Sequence, residues 1–269
     1  MRVKKAIIPA AGYGTRSLPI TKVLPKEMFP INNKPAIHYV VEEAVAAGIE
    51  EILIVVSRNK NMIIDYFDRS LELEAFLVEM NKQHLLDKLS VPNVHIQFVR
   101  QPFARGLGDA IAVGSSFINN EPFAVLLPDD IFIEKKISLR QLINVYEKTS
   151  SSVIGVQQVK KEFLKNYGVI KEKEISPGLH EIIDIVEKPR KSPPSNLAVV
   201  GRYVLHPDIF MFLKQVKLGI GGEIQLTDAL KDMLQQRKCY GYEVSGERYD
   251  IGSNKDYYRL LKKMNGELD

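Results

Sequence analysis

Cysteine is nearly missing from this 269-residue chain: Cys239 stands alone, so neither an internal disulfide nor a cysteine-based zinc site can form. That suits a reducing compartment, and a cytoplasmic location is the expectation. No apolar run approaches the roughly 20 residues of a membrane-spanning helix. The opening MRVKKAIIPAAGYGTR sets basic residues ahead of apolar ones as an export signal does, but the run is short and Pro9, Gly12 and Arg16 interrupt it. Clustered basic residues with interleaved aromatics are lacking too. The formal charge is +4, yet Lys and Arg alternate with Glu, as in QVKKEFLK (158–165) and KEKE (171–174), the pattern of a solvated surface. Neither nucleic acid nor a membrane is therefore expected as a partner. The five histidines, His38, His84, His95, His180 and His206, are scattered without metal-ligand spacing. Repeats and low-complexity linkers are absent, and KPRKSPPS (188–195) reads as a loop.

What is present is an alternation of β-branched runs and amphipathic segments, which predicts an α/β fold. The expected strands are KAIIPA (5–10), EILIVV (51–56), VHIQFV (94–99) and FAVLL (123–127). A helix is expected from Pro35 to about Ala47, with Ile37, Val40, Val41, Ala44 and Val45 as its apolar stripe and Gly48 at its end. Others are expected from about Leu107 to Phe117 and within residues 59–90. Further on, GVIKEKEI and HEIIDIVEK flank Pro177-Gly178 and predict a hairpin, and LAVVGRYVL (197–205) predicts a strand. A short helix is expected near Pro207–Leu213, and a further helix from Ile224 to about Gln236. A closing helix has Ser253 as its cap, with Asp256 three residues on. Together these elements predict a Rossmann-like mixed, mostly parallel sheet flanked by helices, with a smaller β-rich part.

Directly after the first strand stands PAAGYGTR (9–16). A dinucleotide fingerprint needs a third glycine where Ser17 stands, and Pro19 and Pro25 disfavour the continuous helix it requires. A P-loop needs a Gly-Lys-Ser/Thr step, which is missing. What remains is a long loop with Gly12, Gly14, Thr15, Arg16, Lys22 and Lys26. Two readings stand on spacing alone. Either backbone N–H groups and mobile cations cradle phosphates, or the glycines turn the chain and the cations are solvated.

PAAGYGTRSLPITKVLPKEMFP (9–30), RQPFARGLGDA (100–110), LLPDD (126–130), YGVI (167–170), VEKP (186–189), SNLAVVGRY (195–203), GGEIQLTDA (221–229) and RYDIG (248–252) together resemble the bacterial sugar-1-phosphate nucleotidyltransferases, more narrowly their UTP–glucose-1-phosphate uridylyltransferase branch. The segments keep the family's order over nearly the whole chain. The resemblance implies a nucleotide-diphospho-sugar transferase fold of GT-A-like type. It implies one domain (1–269), with 1–130 mainly holding the nucleotide and 131–269 the sugar phosphate. It implies transfer of UMP from UTP to glucose 1-phosphate with Mg2+ and a homo-oligomeric assembly. The catalytic set it implies is Arg16, Lys26, Asp129, Lys188 and Asp250, with Asp129 and Asp250 as metal ligands. Ala11, Gly12, Gly14, Glu27, Gln101 and Gly106 would contact the nucleotide; Gly168, Glu187 and Glu223 would line the sugar pocket. Adjacent residues of an extended chain point apart, so one of Asp129 and Asp130 is expected to reach the metal, and Glu187 and Lys188 are expected to face opposite sides. Two departures stand out: Asp109 where many relatives have histidine, and Ser17 where a large apolar residue is usual.

Overall fold

The computed structural model describes residues 2–133 and 137–266. Its described strands are β1 (Lys5–Ala10), β2 (Pro30–Ile31), β3 (Lys34–Pro35), β4 (Glu51–Val56), β5 (His95–Arg100), β6 (Phe123–Leu126), β7 (Asp130–Ile133), β8 (Ser152–Gln158), β9 (Gly168–Ser176), β10 (Leu179–Glu187), β11 (Leu197–Leu205), β12 (Cys239–Glu243) and β13 (Glu247–Asp250). Nine form one sheet in the order β5-β4-β1-β6-β11-β8-β12-β10-β9, and β2-β3 and β7-β13 form two small ribbons. Only β11 and β10 run against the other strands of the large sheet, as a mixed but mostly parallel sheet should. Both halves of the chain contribute to it.

The central strands β1, β4 and β6 are apolar at every buried position because helices cover both faces. Ala6, Ile8 and Ala10 of β1 join Ile52, Ile54 and Val56 of β4 on one face, against the helices Ala36–Ala46 and Ser138–Thr149. Ile7, Leu53, Val55, Phe123 and Val125 point to the other, against Leu107–Val113 and Leu226–Met233. Cys239, at the start of β12, is buried, and burial pushes its thiol up to about 12, with the Ser152 hydroxyl offsetting only part of that. Folded protein is therefore expected to resist a thiol-specific reagent near pH 8 and to take up label in urea; prompt labelling without denaturant would show that this end of the sheet opens.

Several helices differ from their expected extents. Residues 59–90 hold two helices, Asn61–Phe67 and Leu71–Glu79, and a 3-10 segment, Gln83–Leu89, with extended backbone at Asp68 between the first two. The segment starting at Leu107 stops at Val113 and resumes at Ser115–Ile118 after Gly114, which lies so close to β1 that a Cβ there would sit 2.6 Å from Ile7 Cδ1. The helix expected from Ile224 begins at Leu226: Ile224 stays out of it to bond the loop before the helix Leu107–Val113, donating to Arg105 O (2.7 Å) and accepting from Gly108 N (2.8 Å). Ser253 does precede the helix Asn254–Met264, but its side chain makes no capping hydrogen bond. Among the described residues no helix is long and apolar enough to cross a membrane.

Candidate active site

From β1 the chain builds outward to β4 and β5, then returns to β6 on the other side of β1. The loops after β1 and β6 thus diverge at a reversal of strand order, where open α/β sheets form a crevice. The first loop carries Arg16 and Lys26; the second carries Asp129. Pro19 and Pro25 break the first loop into 3-10 turns at Thr15–Ser17, Ile20–Lys22 and Lys26–Met28. Gly14 opens the first of these turns in the left-handed region, φ 65°, and its carbonyl accepts from the Thr21 hydroxyl at 2.9 Å. Ala11 is buried at the end of β1, and Gly12 has open space beside its Cα.

Lys26 Nζ makes a short ion pair with Asp129 Oδ2. Arg16 spans two carboxylates, with Nη1 2.9 Å from Asp250 Oδ2 and Nη2 3.7 Å from Asp129 Oδ2. Asp250 is delivered by β13, whose register on β7 sets Asp250 opposite Asp130 and whose exit lets Ile251 N donate to Asp129 O (2.9 Å). The guanidinium lies against Gly252, where a Cβ would sit 2.3 Å from Arg16 Nη2. Only a residue without a side chain leaves Arg16 this seat.

Burial alone would push the Asp129 carboxyl up; Lys26 and, less strongly, Arg16 outweigh it and hold the group below the ordinary carboxylate range. Burial likewise opposes the Lys26 charge, but Asp129 raises it above the ordinary lysine value. A carboxyl held lower in the folded than in the unfolded chain stabilises the fold above its unfolded pKa of 3.8, and this stabilisation is lost as pH falls further through the folded value. Asp129→Asn is therefore expected to lose less stability than wild type between pH 6 and pH 3, measured as the shift in urea midpoint. Equal losses would show that the pair does not govern acid sensitivity.

Asp130 points the other way, into the protein: Oδ2 accepts from Gly201 N (2.8 Å) and Oδ1 from Arg248 Nε (2.8 Å). Glu187 and Lys188 do not diverge as an extended strand end would require. Lys188 adopts φ 46°, which breaks the alternation, and its Nζ lies 3.3 Å from Glu187 Oε1. Thr227 Oγ1 donates to the second Glu187 oxygen at 3.0 Å, beside Gly168. Glu223 precedes the helix Leu226–Met233 instead of starting it, so helix-terminus electrostatics do not account for it; its carboxylate accepts from Gln225 Nε2 (3.0 Å). Arg16, Asp129, Gly168, Glu187, Lys188, Glu223 and Asp250 all border one cavity of about 1250 Å3.

On the other side of the loop, Gly12 and Lys26 border a smaller cavity of about 460 Å3. The Glu27 side chain is 1% exposed and accepts on both oxygens, at 2.8 Å, from Nζ of Lys60, which borders the same cavity. Burial lowers the Lys60 ammonium despite that partner. Gln101 is buried beside Gly106, where glycine is required both by φ 101° and by the close approach of Ile224 O, 2.8 Å from where a Cβ would sit.

Sequence reasoning overlooked Arg202. It is completely buried in β11, pairs with Glu43 through Nε (3.0 Å) and Nη2 (2.7 Å), and donates to Leu127 O (3.2 Å), Gly201 O (2.9 Å) and Asp130 O (2.8 Å). It thereby holds the backbone on either side of Asp129. Nothing in GRY distinguishes such an arginine from a surface one.

The nucleotidyl transferase family profile matches residues 5–267. A Bacillus subtilis (strain 168) UTP–glucose-1-phosphate uridylyltransferase is 50% identical over 93% of this chain and 87% of its own length. UTP–glucose-1-phosphate uridylyltransferase 1 of Staphylococcus saprophyticus is 51% identical over 94% and 89%. A crystal structure of UDP-glucose pyrophosphorylase complexed with UDP-glucose superimposes with a TM-score of 0.88 at 43% identity, covering 99% of this chain and all of that one. With that structure superimposing over 99% of its length, and with a profile match running nearly end to end, this chain belongs to the nucleotidyl transferase family.

Proposed function

We infer that this chain transfers UMP from UTP to glucose 1-phosphate, giving UDP-glucose and pyrophosphate. The observation that carries the reading is the convergence of Arg16, Asp129, Lys188 and Asp250 around one cleft, with Lys26 of the same loop as Arg16 paired to Asp129, in a chain half identical to uridylyltransferases. A phosphate oxygen of glucose 1-phosphate bonds to the α-phosphorus of UTP as the bond to the departing pyrophosphate breaks. That oxygen is already anionic near neutrality, so no strong base is required; the barrier lies in assembling like charges in line. Lys188 Nζ binds the sugar phosphate, and Glu187, Gly168 and Glu223 border the sugar. Arg16 and Lys26 exchange their carboxylate partners for the triphosphate.

That exchange frees Asp129 and Asp250. Among the described residues no group of three or more acidic, histidine or cysteine side chains could hold a metal unaided. Two carboxylates on either side of one guanidinium fit Mg2+, which takes one or two protein carboxylates and completes its shell with water and phosphate. Bound there, it would offset charge on the reacting phosphates. Residues 1–130 then serve mainly the nucleotide and 131–269 mainly the sugar phosphate. Backbone at Ala11, Gly12 and Gly14, the Gln101 amide and the Gly106 loop hold UTP, while Glu27 acts through Lys60. A cytoplasmic homo-oligomer completes the reading.

The test is pyrophosphate release with Mg2+ across a panel of nucleotides and sugar 1-phosphates. UTP with glucose 1-phosphate is expected to be the preferred pair. A dTTP preference, or another sugar, would replace the assignment within the family; UDP-glucose binding without turnover would make the chain a sensor.

A further inference from the structure

We propose that Asp109 is a positioning residue for base selection: its carboxylate turns the Gln101 amide so that Oε1 faces the nucleotide, favouring uracil over cytosine. The inference rests on the reading of Gln101 as the base-contacting residue. Both side chains are buried. Gln101 Nε2 donates to Asp109 Oδ2 at 2.6 Å and to Gly106 O at 3.4 Å, while the other Asp109 oxygen accepts from Arg105 Nη2 at 2.8 Å. Carboxylate and carbonyl oxygens only accept, so both neighbours demand the amide nitrogen on their side, and the ordinary ambiguity of a glutamine amide is removed.

The opposite edge is left as an acceptor. Among the described residues, the side-chain polar atoms sealed from solvent without a partner are Ser17 Oγ and His180 Nδ1. Gln101 Oε1, which has no partner either, thus keeps contact with solvent. The loop that carries this arrangement is pinned by the backbone of Ile224 at Arg105 and Gly108. An unpartnered acceptor held in this orientation pairs with the N3–H of uracil and opposes cytosine, whose N3 carries a lone pair. A donor in that place would reverse the preference.

Asp109→Asn tests this directly, because the new amide can donate to Gln101 Oε1 and let the Gln101 amide turn over. Calorimetric affinities and KM values for UTP and CTP are expected to show a UTP preference in wild type that falls about tenfold or more in the variant. If both nucleotides weaken alike and the ratio stays, Asp109 is only a structural support. Wild-type protein supplies a second measurement that needs no variant: 3-methyl-UTP, which lacks the N3–H, is expected to bind at least about tenfold more weakly than UTP. Equal binding overturns the acceptor assignment. A wild type with neither UTP preference nor pyrophosphate release would remove the functional reading as well. UTP selectivity retained undiminished in Asp109→Asn removes only the role of Asp109.

Discussion

Lys188→Ala is expected to fold like wild type and to lose about 10²- to 10³-fold in the rate of pyrophosphate release, the scale of removing one preorganised charge from a transition state. The fold should survive because the Lys188 side chain is 42% exposed and, among the described residues, its ion pair is with Glu187 alone. Its backbone carries the positioning, through φ 46° and a 3.0 Å bond from Lys188 N to Tyr167 O, and alanine retains both. Lys188→Arg keeps the charge but replaces a compact ammonium by a planar fork, so an intermediate rate is expected. Steady-state rates together with thermal unfolding separate the possibilities. A near-wild-type rate in Lys188→Ala would show that the sugar phosphate is held elsewhere, and lost folding with lost activity would assign Lys188 to the scaffold.

Glu43→Ala carries the largest expected cost in stability, about 3–5 kcal/mol, because it strips the carboxylate from a completely buried guanidinium. Against a typical total of about 5–15 kcal/mol this is severe; with a urea dependence of about 2–3 kcal/mol/M the midpoint should fall by about 1–2 M. Glu43→Gln, which keeps acceptors for Arg202 and Leu139 N, should lose less. Pairing Glu43→Leu with Arg202→Met should recover part of the loss, since a matched apolar pair no longer strands a charge. An unchanged midpoint in Glu43→Ala would mean that the three backbone carbonyls suffice for Arg202. Activity should fall along with stability even where protein remains folded, because Leu127 O and Asp130 O, both held by Arg202, bracket Asp129.

The strands were the most legible feature. KAIIPA and EILIVV are apolar runs covered on both faces, LAVVGRYVL is one apart from Arg202, and that burial leaves a local signature. Helix limits were less so. Glycine is needed at 114, where the helix breaks, because of Ile7, and the late start at Leu226 goes with the bonds of Ile224 to Arg105 and Gly108; both are contacts between distant segments. Glu187 and Lys188 illustrate the same limit at the scale of one dihedral angle, since a left-handed lysine places both side chains together where strand alternation would separate them. Glu27 reads as an open carboxylate in PKEMFP, yet Lys60 claims it.

By itself, then, the sequence determined the strand runs, a proline-broken loop that suits neither a dinucleotide nor a P-loop, and the residue types able to handle phosphate. Only the tertiary structure decided their partners: Arg16 with Asp250 and Asp129, Lys26 with Asp129, Glu43 with Arg202, Gln101 with Asp109. Strand runs arise from the burial of neighbouring residues, which composition and spacing record. Most of these pairings instead arise from the reversal of strand order between β4 and β6 and from the return of β13 onto β7, which bring together charges far apart in the chain.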